Sequence, residues 1–126
     1  MRKLFLSLVL LGSLVFAYAQ DIKWGEGIPA VAADILEPRL EQMLSSAGLA
    51  NVPLEVSATV TERMETPGSL GQVALVISLQ LSSGEVSEQI PLKGVGQTEE
   101  DAWQRAMKQF LPKGKAAQNF VNKLKN

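Results

Sequence analysis

Residues 73–111 read VALVISLQLSSGEVSEQIPLKGVGQTEEDAWQRAMKQFL, and this stretch decides the fold class. Val73 to Leu81 is apolar at nearly every position, which marks it as the most buried strand. Ser82-Ser83-Gly84 then closes a short hairpin into a second run, Glu85 to Val95, in which Val86, Ile90 and Leu92 point one way. Pro91 has no N–H to donate, so this strand belongs at an edge or a bulge. Gly94-Val95-Gly96 ends the strand, and Thr98 with Glu99, Glu100 and Asp101 supplies an N-cap and three acids at the positive end of a helix dipole. From there Ala102, Trp103, Ala106, Met107, Phe110 and Leu111 form an apolar stripe at helical spacing.

Upstream, Leu54, Val56, Ala58 and Val60 alternate with Glu55, Ser57, Thr59 and Thr61, which predicts a strand with one wet face. Pro67-Gly68, in the segment Met64 to Leu70, marks the turn that follows. Before it, Ala32, Ile35, Leu36, Leu40, Met43, Leu44 and Ala47 share one helical face from Pro29 onward, and Gly48 offers a left-handed stop on which Leu49 can fold back. Pro38 interrupts this run at a cost of about 3 kcal/mol. The apolar face stays in phase across it, so a single kinked helix is expected. Pro112-Lys113-Gly114 separates the second helix from a third, about Ala116 to Leu124. The expected order is helix, three antiparallel strands, helix, helix: an α+β two-layer sandwich, αβββαα, spanning residues 29–126 as one domain. Residues 20–28 show no period and read as an irregular arm whose large apolar group, Trp24, either folds back on the core as a lid or reaches a partner.

Residues 1–19 have the pattern of a cleavable secretory signal. Arg2 and Lys3 precede an apolar run from Leu4 to Phe16, and Ala17-Tyr18-Ala19 sets small residues where a signal peptidase needs them. The run is shorter than the ~20 residues that span hydrocarbon. Cleavage leaves Gln20 as the new N-terminus and predicts a periplasmic or secreted protein with no direct membrane insertion. Cysteine is absent, which excludes disulfides and a lipid-bearing N-terminal Cys.

Histidine is absent too. Ser-His-Asp and Cys-His catalysis are therefore unavailable, as are ordinary zinc, haem and iron–sulfur sites. The Gly94-Val95-Gly96 turn lacks both the third glycine of a dinucleotide fingerprint and the Lys-Ser/Thr of a P-loop, and acids fill its helix N-terminus. Consecutive helical acids diverge by about 100°, so Glu99, Glu100 and Asp101 read as capping groups. No catalytic residue, metal site or cofactor is assigned. Loss of Arg2 and Lys3 from the 12 basic residues leaves 10 against 13 acids, which argues against nucleic acid as a partner. The bases are uneven, however: no acid follows Asp101, while Lys113, Lys115, Lys123 and Lys125 all do. These lysines and Trp24 are the candidate partner-binding residues. The edge strand around residues 85–92 is a further candidate surface.

The passage Lys93-Gly94-Val95-Gly96, then Thr98-Glu99, Ala102 and Ala106, with a late Phe120-Val121-x-x-Leu124 helix, resembles a group of small exported Bacteroidetes proteins that share a KGVG-x-(S/T)-E-x-x-A motif. The likeness covers about residues 29–126 and brings no activity with it. A strand, Gly-x-Gly turn and small-residue helix are also remotely similar to envelope accessory domains: the curli-secretion lipoprotein CsgG, the outer-membrane activators of penicillin-binding proteins, and the N-terminal domain of TolB. That resemblance implies assembly or partner regulation in the periplasm, although this chain departs from the lipoproteins in lacking the anchoring Cys. The expected function is an exported non-catalytic accessory module that binds an envelope protein. Two alternatives remain. One is a binder of a small molecule or envelope polymer held between the sheet and the Gly48–Pro53 loop. The other is a carboxylate-based hydrolase, which needs two acids facing each other across a cleft.

Overall fold

The computed structural model describes residues 22–66 and 71–126. The segment read as a secretory signal, residues 1–19, and the turn expected at Pro67-Gly68 lie outside the described residues. The elements are β1 (Ile22–Trp24), α1 (Ala30–Ser46), β2 (Leu54–Thr66), β3 (Gln72–Ser83), β4 (Val86–Gly96), α2 (Glu99–Met107) and α3 (Lys115–Lys125). The α+β class is as expected, but the sheet has four strands rather than three, in the order β1-β2-β3-β4. The added strand lies inside the supposed irregular arm. Ile22, Lys23 and Trp24 pair in parallel with Leu54, Glu55 and Val56. Parallel neighbours need a crossover, and α1 supplies it.

Each boundary has a local cause. Helix α1 runs unbroken through Pro38, with Asp34, whose carbonyl loses its partner, on the exposed side where water can replace it. It ends as the sequence predicts: Gly48 adopts φ 75°, its N–H donates to the Ser45 carbonyl, and the Leu49 N–H donates to the Leu44 carbonyl. Thr98 caps α2 by accepting from the Asp101 N–H at 3.1 Å. Helix α2 is shorter than its apolar stripe. It stops at Met107, leaving Phe110 buried beyond its end and Leu111 58% exposed. Arg39 from α1 accounts for part of that ending, because its Nη1 donates to the Lys108 and Phe110 carbonyls at 3.2 and 2.9 Å.

One face of the sheet carries all three helices. Leu36, Leu40, Met43 and Leu44 of α1 join Leu75, Ile77, Leu79 and Leu81 of β3, with Phe110 and Phe120, in a single buried cluster. Helix α2 lies closest to the sheet, over β3 and β4. The KGVG passage explains why. Gly94 and Gly96 sit buried on the helix-covered face, and a Cβ at Gly94 would collide with the Ala102 carbonyl oxygen and lie 2.6 Å from the Ala106 nitrogen. The motif behind the family resemblance is thus a flush contact of two strand glycines with two helix alanines.

Candidate functional site

The five candidate partner-binding residues do not come together. Trp24 sits on β1, half-buried against the core, beside Val56 in the register. The lysines sit on or just before α3, which packs against β4, three strand spacings or about 14 Å across the sheet from β1. They are themselves divided, with Lys113 and Lys115 at the start of α3 and Lys123 and Lys125 at its end, about 15 Å further along. Lys123 is already committed: its Nζ donates to Glu88 Oε1 at 2.7 Å and to the Ser87 carbonyl at 3.4 Å.

The two edges of the sheet differ sharply. On β4, alternation turns the backbone groups of Ser87, Gln89, Pro91, Lys93 and Val95 away from β3. Three of these positions are blunted. Lys123 covers the Ser87 carbonyl, Pro91 has no N–H, and the Lys93 N–H donates to Gln109 Oε1 at 3.1 Å. Pro91 therefore sits where a strand tolerates it, with its nitrogen facing outward. This edge, a candidate surface from the sequence, is poorly suited to accept a partner strand.

The outer edge of β2 is protected only at its start. β1 covers Leu54 to Val56, the Gly25 N–H donates to the Val56 carbonyl at 2.7 Å, and Gly27 packs against the Ala58 carbonyl. From Thr59 to Thr66 every β2 residue is exposed, and no described strand pairs on that side. A bulge between Val60 and Glu62 shifts the alternation by one residue. Past it, Arg63 and Glu65 stand on the helix-covered side, opposite Leu75 and Val73. Glu62, Met64 and Thr66 stand on the open side, opposite Val76, Ala74 and Gln72. Because Glu62, Met64 and Thr66 direct their backbone groups to β3, those of Arg63 and Glu65 point outward.

Arg63 organises this segment. Its guanidinium lies 2.7 Å from Glu65 Oε2 and 2.9 Å from Glu99 Oε1, and it donates to both carboxylates. These two acids, Glu65 foremost, hold the guanidinium above its ordinary pKa, so it is charged at any working pH. Glu65 and Glu99 are acids from different elements, as a hydrolase pair would be, but Arg63 bridges the two on an exposed surface. On the open face, Met64, Ala74 and Val95 form one row across three strands, with Met64 64% and Val95 36% exposed. No helix among the described residues covers that face.

Farther along the open face, Lys23, Glu55, Ser57, Gln80 and Ser82 line a shallow polar hollow of about 440 Å³ beside Trp24. A second hollow, of about 270 Å³, reaches Pro53 and the β3–β4 turn at Ser82–Gly84. The latter is the place between sheet and loop where the sequence suggests a ligand.

The sequence gives no warning of the Arg63–Glu65–Met64 cluster, because the bulge at Thr61 ends the simple alternation and makes Met64 to Thr66 look like the start of a turn. A one-residue phase slip followed by renewed alternation is the signal that would have found it.

No family model matches the chain, and no curated protein sequence matches it, so neither comparison confirms the KGVG resemblance. Among solved structures, the fold is loosely similar to a minor lipoprotein from Acinetobacter baumannii, at 15% identity and a TM-score of 0.42, over 83% of this chain and 90% of that one. A protein from Caulobacter crescentus CB15 assigned as a lipoprotein aligns at 10% identity and a TM-score of 0.32, over 83% of each chain. Unlike a lipid-anchored protein, this chain has no cysteine, and no helix among its described residues is long and apolar enough to cross a membrane.

Proposed function

We propose that the protein is an exported, non-catalytic envelope module that works by holding another protein against its sheet. The observation that carries this reading is the contrast between the edges. β4 is blunted at three of its five outward positions by Lys123, Pro91 and Gln109, while β2 leaves the outward groups of Arg63 and Glu65 unpaired beside an uncovered Met64–Ala74–Val95 row. An edge of this kind recognises a partner strand through backbone hydrogen bonds, and neighbouring side chains supply specificity. The secretory pattern of residues 1–19 supports a periplasmic or secreted address. The lack of His and Cys supports binding over catalysis.

The test is crosslinking in the native host, followed by affinity capture and mass spectrometry, with Glu65→Pro as the comparison. Proline at an outward-facing position leaves the β2–β3 ladder intact, as Pro91 already does on β4. Capture of one envelope protein by the unaltered chain, lost in Glu65→Pro while the variant stays folded, supports the reading. Equal capture by both would remove β2 from the account.

A second reading rests on the hollow lined by Lys23, Glu55, Ser57, Gln80 and Ser82, whose donors and acceptors suit a hydroxyl-rich envelope polymer. Retention on immobilised cell-wall polysaccharide, abolished by Gln80→Ala with Glu55→Ala, would favour it.

A further inference from the structure

We infer that the partner held by the open edge of β2 is a second copy of this chain, paired antiparallel about a two-fold axis at Met64. This rests on the proposed role of that edge and names its occupant. The register follows from the alternation already described. In an antiparallel pair, outward-pointing residues must meet outward-pointing residues, and facing side chains must share a face of the sheet. Centring the axis on Met64 satisfies both conditions: Arg63 meets the partner's Glu65, Glu65 meets the partner's Arg63, and Met64 meets its own counterpart.

Three features on the page favour this occupant over an unrelated strand. The charges are self-complementary, since Arg63 and Glu65 alternate on the helix-covered side and become a four-membered ring of opposite charges across the axis. Centring on Arg63 instead would set two guanidinium groups against each other, which disfavours that register. Second, the apolar row ends at the edge. Val95, Ala74 and Met64 lie in line across β4, β3 and β2, and the two-fold joins this row to its copy, so that Met64 is no longer left 64% exposed. Third, the assembly closes. The edges left outermost in each copy are β4, which Lys123, Pro91 and Gln109 already blunt, and the three-residue β1, while the bulge at Thr61 with the cover over Ala58 ends the pairing at the near side. An isologous contact with protected outer edges gives a dimer with an eight-stranded sheet and stops there.

The chain has no cysteine, which makes the register directly testable on the exported protein purified from its host. Met64→Cys places the two cysteines at a non-hydrogen-bonded pair whose Cα atoms are about 4.5 Å apart, within the Cα separation of about 4.4–6.8 Å that a disulfide spans. Mild oxidation is expected to link Met64→Cys into a dimer and to leave Gln89→Cys on β4 unlinked. In sedimentation equilibrium, Arg63→Glu and Glu65→Arg should each weaken self-association by about tenfold or more, because each sets two like charges face to face twice over. Mixed together, the two variants should recover it, since every facing pair is again opposite. That recovery cannot come from misfolded chains. Monomeric wild-type protein at all concentrations, absence of a Met64→Cys dimer, or mixed variants no tighter than either alone would overturn the inference. If the wild type is monomeric but Glu65→Pro still abolishes capture of a different envelope protein, the edge is the site and the second copy is not its partner.

Discussion

Adding one methyl group at Gly94 should cost more than adding one at Gly48, where the new group meets no atom. The Gly94 Cα faces α2, and a Cβ built there runs into the Ala102 carbonyl oxygen and the Ala106 nitrogen, 2.6 Å away. Both are backbone atoms of a helix, so no rotamer change relieves the clash and α2 must lift off β4 as a unit. Overpacking of this kind costs about 1–3 kcal/mol where side chains can yield, and a rigid backbone obstacle puts Gly94→Ala at about 3 kcal/mol or above. For a domain of this size that lowers the melting temperature by about 12 °C or more. Gly48→Ala is the control. Its φ of 75° makes alanine strained, but nothing lies within 4 Å of the new methyl, so the cost is the left-handed penalty alone, about 1–2 kcal/mol. Urea unfolding followed by the fluorescence of Trp24 and Trp103 reads both variants, with an unchanged m-value as evidence of the same folded surface. A Gly94→Ala protein within about 0.5 kcal/mol of wild type, the range of an ordinary surface substitution, would refute the flush-contact explanation of the KGVG passage.

Three further substitutions test the remaining supports. Arg39→Ala removes two charge-assisted bonds to the carbonyls after α2 and should destabilise by about 2 kcal/mol in the same assay, whereas the exposed Arg105 should tolerate alanine within about 0.5 kcal/mol. Thr98→Ala deletes the α2 cap and should cost about 1 kcal/mol, largely restored by Thr98→Asp or Thr98→Asn. Lys123→Ala breaks the contact with Glu88 and should cost no more than about 1 kcal/mol, a loss that shrinks as salt is added, measured by unfolding at low and high ionic strength.

Much of the fold is written in local chemistry. Gly48 with Leu49, the Ser82–Gly84 hairpin and the Thr98 cap each solve a local backbone problem, so the short-range pattern identifies them. Pro91 marks an edge because proline cannot donate, and the structure places it with its nitrogen outward. The misreadings share a different cause. β1 is three residues long, too short to display a period, and exists only because Leu54 to Val56 offers it a neighbour. The second helix ends early because Arg39, about seventy residues upstream, takes the carbonyls at its end. The length of β2 is hidden by the bulge at Thr61. The candidate site suffers most, since the surface depends on which edge is left open, and that follows from tertiary pairing. The lysines drew attention by composition, yet one already neutralises Glu88 and the others stand at opposite ends of α3.

The central claim is that the β2 edge, and not the β4 edge, is the working surface. Photo-crosslinking in the living host tests it most directly, with the reactive side chain installed at Met64 or at Gln89 in otherwise unaltered protein. The account predicts a discrete protein adduct from position 64 and none from position 89. Adducts from position 89 alone, or from neither position, would contradict it.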